Sequence, residues 1–211
     1  MDLKYLMKLA IMISGRGTNM DAILTFIGKG LIPQAEPVLV LANLSEARGL
    51  TIAKNKFGVH TEVLNNNELK GWDYDKNVMA LLQEYKVSPT NGLLCLAGFM
   101  RLLSPQFVSL FRNRIINIHP SLLPSFPGLH AQRQAIEYGV KISGCTVHFV
   151  DKGLDSGPII IQKSTPVLPT DTEETLSDRI LMDEHLIYPE AIKMITENRV
   201  KISGRTVLIS D

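Results

Sequence analysis

An alternation along the first half of the chain narrows the possible folds more than any other feature. Residues 8–14, 37–42, 59–64 and 92–98 are short runs rich in apolar residues. Between them, residues 19–27, 47–57 and 74–85 repeat apolar positions at helical spacing, with Leu81, Leu82 and Tyr85 on one face of the third. A strand apolar on both sides must be covered on both faces, and a helix between two such strands is the crossover of a βαβ unit. The pattern predicts an α/β fold, Rossmann-like, with a largely parallel central sheet flanked by helices.

The second half changes character. Pro105 can open a short helix to Phe111. Residues 114–119 read as a strand, followed by a loop punctuated by Pro120, Pro124 and Pro127. A helix over 131–137 ends at Tyr138-Gly139, and strands over 144–150 and 158–165 flank the loop 151–157. A long helical stretch runs from Thr172 to about Glu197. It opens on a capping-box-like Thr172-Glu173-Glu174-Thr175, and Pro189 is expected to kink or split it. Residues 200–203 and 205–209 flank Gly204 as a terminal hairpin or an edge strand. The C-terminal half is thus expected to be mixed, and with no repeat or flexible linker the chain reads as one unit over 1–211.

Composition enters as a set of exclusions. At 211 residues the chain is of one-domain size and large enough to fold without staples. Cys95 and Cys145 lie in apolar runs and cannot form a disulfide framework, the usage of a reduced, cytoplasmic protein. The 22 Lys and Arg against 21 Asp and Glu leave a net charge of +1, no electrostatic footprint for nucleic acid or an acidic membrane. No apolar run approaches the ~18 residues of a membrane span. The partners expected are small molecules.

Ser14-Gly15-Arg16-Gly17-Thr18-Asn19 follows a strand and opens a helix. Such a turn brings backbone amides and the positive end of a helix dipole to an anion. A dinucleotide fingerprint would need glycine where Met20 stands and an acid where Asn43 stands, and no Walker lysine is present. A phosphomonoester held by the Gly17 and Thr18 amides, the Thr18 hydroxyl and the Asn19 side chain fits best.

The densest chemistry is Ile116-Asn117-Ile118-His119-Pro120. Residues two apart on a strand share a face, so Asn117 and His119 project together from a carboxyl strand end, where open α/β sheets place ligands. An amide donor beside an imidazole suits an oxyanion and a proton transfer. Asp151 and Asp155 lie on the glycine-bounded loop 151–157; a polar turn accounts for Asp151, and Asp155 is the carboxylate expected to reach the site. His60, His119, His130, His148 and His185 show no metal-ligand spacing, so no metal is expected. No GxSxG elbow supports a serine hydrolase.

Taken together, the SGRGTN turn, LAGFMRLLSP (96–105), INIHPSLLPSFPGLHAQRQAIEYG (116–139), GCTVHFVDKGLDSGPII (144–160) and DEHLIYP (183–189) resemble the phosphoribosylglycinamide formyltransferases, folate-dependent transformylases of glycinamide ribonucleotide (GAR). The resemblance implies formyl transfer from 10-formyltetrahydrofolate, a cosubstrate, to the GAR amine in purine synthesis. It implies that Gly17, Thr18 and Asn19 hold the nucleotide phosphate and that Glu184 lies near the ribose and glycinamide. Met100, Arg101, Leu102 and Leu103 would line the pterin pocket, and the Asp151–Asp155 loop would close on the folate, with Asn117 also touching it. Asn117, His119 and Asp155 match the catalytic trio. Lys76 stands where the family often has an arginine facing the folate tail, a point charge in place of a fork. A cis Leu123-Pro124 bond is implied as well. On this reading a phosphate-binding half covers about 1–110 and a catalytic, folate-loop half about 111–211, in a monomer or homodimer.

Three rivals stand beside this reading. Formyltetrahydrofolate deformylase shares the trio and hydrolyses the same donor, but adds an N-terminal domain, whereas here a strand is expected within the first ten residues. Methionyl-tRNA formyltransferase has a related proline loop and a C-terminal tRNA-binding domain. A non-catalytic nucleotide- or folate-binding module could use the same pockets.

Overall fold

In the computed structural model, which describes residues 6–65 and 68–210, the alternation folds as a seven-stranded sheet. Its strands are β1 (Met7–Ile13), β2 (Ala35–Ala42), β3 (Thr61–Val63), β4 (Gly92–Leu96), β5 (Ile115–His119), β6 (Ile142–Phe149) and β7 (Ile159–Pro166). The order is β3-β2-β1-β4-β5-β6-β7, with the first five parallel and the last two antiparallel. From β1 the chain winds outward through β2 to β3 and then crosses back to place β4 on the other side of β1. That reversal opens a crevice at the carboxyl ends of β1 and β4.

The helices are α1 (Thr18–Gly28), α2 (Arg48–Phe57), α3 (Trp72–Glu84), α4 (Pro105–Leu110), α5 (Ala131–Tyr138) and α6 (Glu173–Thr196). Two cores sandwich the sheet. Leu9, Ile11 and Ile13 of β1 meet Met20 and Ile23 of α1 and Ile180 and Ile187 of α6. Ala10 and Met12, on the opposite face, meet Tyr74, Val78 and Leu82 of α3 and Phe107 of α4. The strand period of two assigns each residue to its core. In β5, Ile116 and Ile118 enter the first core and Ile115 the second, so Asn117 and His119 lie on the α3–α4 face at the strand's carboxyl end.

Local chemistry agrees with these assignments. Ser104 caps α4 by accepting the Phe107 N–H, with Pro105 at the first helical position. Thr172 and Thr175 form a reciprocal capping box at α6. Pro189, however, does not split this helix, which runs unbroken for 24 residues. An interior proline costs ~3 kcal/mol. Tyr188, Ala191, Ile192 and Ile195 around it are buried, and each large apolar side chain so buried contributes ~1.5–3 kcal/mol, enough to override the break. The terminal strands β8 (Val200–Ser203) and β9 (Thr206–Ile209) form a separate hairpin rather than an edge of the main sheet. The Leu123-Pro124 bond is cis.

The β6–β7 pairing leaves no room at Gly144, where an added Cβ would overlap the Lys163 carbonyl oxygen. Gly144→Ala should lower stability by roughly 2–3 kcal/mol, the scale of overpacking against a backbone that cannot yield. Urea denaturation checks this; an unchanged midpoint would show that β7 shifts freely.

Candidate active site

The crevice is walled first by the glycine turn. Gly17 has φ +74°, and a Cβ there would lie 2.7 Å from the Gly49 Cα at the start of α2. Glycine at 17 is therefore demanded by packing as well as by the backbone. A Cβ at Gly15 would meet nothing. Gly17 brings no side-chain cap to α1, so the Thr18, Asn19 and Met20 amides have no intrahelical acceptor and face outward with the positive end of the dipole.

The Asn19 side chain, expected beside the phosphate, is engaged within the protein. Its Nδ2 donates to Glu184 Oε2 at 2.6 Å, tying α1 to α6 inside the protein. The two residues pack on the same face of the sheet, and an amide buried beside a carboxylate finds its strongest acceptor there. Asn19 Oδ1 is buried without a partner among the described residues. Burial pushes the Glu184 carboxyl from 4.5 up to about 7, with the Asn19 hydrogen bond acting in the other direction.

Across the crevice lies the segment after β4. Ser14 Oγ donates to Asn43 Oδ1 and accepts the Met100 N–H at 2.7 Å, so one hydroxyl joins the glycine turn to this second wall. Met100 and Leu102 are 69% and 80% exposed, an apolar surface offered to solvent at the crevice. Leu103 packs on the second core. Arg101 is used by the protein itself: its guanidinium stacks 3.8 Å from the Tyr74 ring centroid and donates to the Leu69 carbonyl. Fully buried Asp75 accepts the Ser104 N–H at 2.6 Å and fixes the far end of the segment. Lys76 pairs in solvent with Asp73, at 2.7 Å on the same helix.

The sequence-derived trio comes together on the α3–α4 face. His119 Nε2 donates to the Phe126 carbonyl at 2.8 Å, and its Nδ1 lies 3.4 Å from Asp155 Oδ2. A carbonyl can only accept, so Nε2 carries a hydrogen and Nδ1 is the nitrogen that gains or loses a proton. Asp155 Oδ2 also accepts the Gly128 N–H at 2.8 Å. Asp151 stays inside its own loop, its Oδ1 accepting from Gly153 N and Ser156 Oγ. It shapes the turn that carries Asp155.

One member was missed from the sequence. His148, buried on β6, stands opposite Asn117 in the β5–β6 register. Its Nδ1 donates to the Phe149 carbonyl, leaving Nε2 to accept the Asn117 Nδ2 hydrogen at 3.3 Å. Burial lowers its pKa, which keeps Nε2 an acceptor. His148 thereby orients the amide of Asn117 while its Nε2 lies 3.8 Å from Asp155 Oδ1. The available signal was Thr146 and His148 alternating with the apolar Cys145, Val147 and Phe149. Pairing of that strand with β5 is invisible in one dimension.

Residues 7–192 match the family model for formyl transferase. The chain is 38% identical over 197 residues to the phosphoribosylglycinamide formyltransferase of Escherichia coli (strain K12), covering 93% of this chain and 90% of that protein. It is 43% identical over 198 residues to the trifunctional purine biosynthetic protein adenosine-3 of Drosophila pseudoobscura pseudoobscura, covering 92% of this chain but spanning only 14% of that relative's length. A crystal structure of glycinamide ribonucleotide transformylase 1 from Symbiobacterium toebii superposes with a TM-score of 0.92 at 47% identity, covering 98% of this chain and 95% of that one.

Glu184 makes the fold pH-dependent in a definite direction. Between pH 4.5 and about 7 the native state retains a proton that the unfolded chain has released. Stability should therefore fall as pH rises through that window and level off above it, by about 3 kcal/mol in all. Glu184→Gln keeps the acceptor for Asn19 and removes the titration, so its stability relative to wild type should rise over the same window. Denaturation at a series of pH values measures the difference, and parallel curves would place Glu184 in a wetter site than this.

Proposed function

The chain belongs to the formyl transferase family, and from that premise we propose that it transfers the formyl group of 10-formyltetrahydrofolate to the amino group of glycinamide ribonucleotide in purine biosynthesis. The observation that carries this reading is His119 Nδ1 set 3.4 Å from Asp155, with Asn117 on the same strand face two residues earlier.

The two substrates divide between the faces of the sheet. The ribonucleotide phosphate takes the amides of Gly17, just before α1, and of Thr18 and Asn19 in its first turn, and its glycinamide end approaches Glu184 and the unpartnered Asn19 Oδ1. The pterin lies along Met100 to Leu103, where the exposed Met100 and Leu102 side chains lose water on binding. The loop carrying Asp151 and Asp155 borders it. Folate is consumed in each turnover and is a cosubstrate.

The reaction is an acyl transfer. The neutral amine attacks the formyl carbon, a C–N bond forms, and the carbonyl electron pair moves onto oxygen. Asn117 has one N–H on His148 and the other available to that oxyanion. The contact from His119 Nδ1 to Asp155 is long for a hydrogen bond, so the Nδ1 hydrogen can be shared with an oxygen placed beside it and the bond tightens when substrate is present. Collapse of the intermediate breaks the bond to N10, which takes a proton as the attacking nitrogen gives one up. Asp155 supports the imidazolium and accepts the proton in transit. Hydrogen-bond donors suffice for the developing charge, so the chemistry requires no metal.

Asp155→Asn keeps shape and the Gly128 hydrogen bond but removes the charge. It should lower kcat by roughly 10²–10⁴ while the KM values move far less. Wild-type enzyme given 10-formyltetrahydrofolate should release tetrahydrofolate only when GAR is added. Release without GAR would make it a deformylase, and no release with either would leave a binding module.

A further inference from the structure

Asp155 occupies an unusual backbone position. Its φ is +47°, the left-handed region that a non-glycine residue adopts only when its surroundings hold it there. Three restraints come from within the fold's main body. Asp151 Oδ1 gathers Gly153 N and Ser156 Oγ. The Gly128 N–H holds the Asp155 carboxylate. Gly157 lies so close to the Phe149 carbonyl that a Cβ would overlap it.

A fourth restraint comes from the C-terminal hairpin. Val200, Ile202 and Val207 pack its inner side on the first core. The Ser203–Thr206 pair closes a two-residue turn with Gly204 at φ +61°, the arrangement that favours glycine at the first turn position. The next residue, Arg205, extends from the tip and donates from Nη2 to the Ser156 carbonyl at 2.9 Å. Among the described residues this is the one hydrogen bond between hairpin and loop. A cleft of about 570 Å³, bordered by Arg112, Lys152, Gly153, Ile202 and Arg205, separates the two elements elsewhere. The guanidinium therefore spans a gap and attaches to the residue that follows Asp155.

We propose that Arg205 is a positioning residue for the formyl transfer: it anchors the Ser156 carbonyl and so keeps Asp155 in its left-handed conformation, with the carboxylate aimed at His119 Nδ1. This rests on the function proposed above for Asp155. A charged donor on a carbonyl is among the stronger single hydrogen bonds. Without it the Ser156–Gly157 peptide is free to turn, the loop relaxes through Ser156 back to Asp155, and the carboxylate leaves the imidazole. The hairpin thereby acts on a reaction that none of its own atoms touches.

Arg205 is exposed, so Arg205→Ala should fold with an unchanged thermal midpoint. Its kcat should fall about tenfold, the scale of a small misplacement of an acid–base group, with KM for GAR unchanged. Arg205→Lys should recover part of the loss. In an Asp155→Asn background, Arg205→Ala should cost nothing further, because the group it positions is already disabled. Amide hydrogen exchange over residues 152–157 should quicken in the single variant, read without any substrate. A kcat within twofold of wild type, or the same tenfold loss on top of Asp155→Asn, would overturn the proposal, as would unchanged exchange in the loop. Quickened exchange together with a wild type that transfers no formyl group counts against the proposed function and leaves the tether standing.

Discussion

Antiparallel pairing of β6 with β5 sets His148 opposite Asn117 and Thr146 opposite His119, and the site is assembled around that register. Thr146 donates from Oγ1 to the Ser121 carbonyl and accepts the Leu123 N–H, while Gln162 on β7 donates to the Leu123 carbonyl. The proline loop is thus fastened to the two strands beyond β5. Its far end delivers the Phe126 carbonyl to His119 Nε2. A one-residue slip would send every one of these side chains to the other face. The register is guarded against that slip by Ile116, Ile118, Cys145 and Val147, all buried in the first core. Apolar burial on one face of the sheet therefore holds polar geometry on the other.

The same division organises the whole site. Glu184 and Asn19 meet on the α1–α6 side, Asn117 and His119 on the α3–α4 side, and the Ser14 hydroxyl links the walls at the carboxyl edge between them. Under the proposed function, a nucleotide on one side and a folate on the other bring amine and formyl carbon together over that edge. The arrangement uses a general property of open α/β sheets: the reversal of winding between β1 and β4 leaves strand ends unroofed, and ligands enter where the helices part.

Much of this was legible in the linear order of residues. The apolar runs and helical spacings placed α1 to α4 and the parallel strands within a few positions, because burial on both faces of a sheet imposes a composition that a single sequence displays. Asn117 and His119 could be assigned to one face because a strand repeats every two residues, whatever surrounds it. The helix start at Pro105, the box at Thr172 and the hairpin turn at Gly204 are equally local. That α6 runs on through Pro189 has the complementary reason: the local penalty is real, but Tyr188, Ala191 and Ile192 bury enough surface to outweigh it.

Partners far apart in the chain were not legible. The hydrogen bond from Asn19 to Glu184, 165 residues away, has no signature in the linear order; His148 was one histidine among five until β6 lay against β5. That Nδ1 of His119 is the proton-exchanging nitrogen, and that Arg205 reaches the Asp155 loop, follow from single hydrogen bonds whose donors and acceptors lie on different elements. The elements, their buried faces and the residue types available at each strand end can be read from linear order, because they follow from periodicity and short-range sterics. Which polar atoms meet is settled by the packed fold, because a buried donor takes whichever acceptor the packing brings within about 3 Å, and packing is a property of the whole chain.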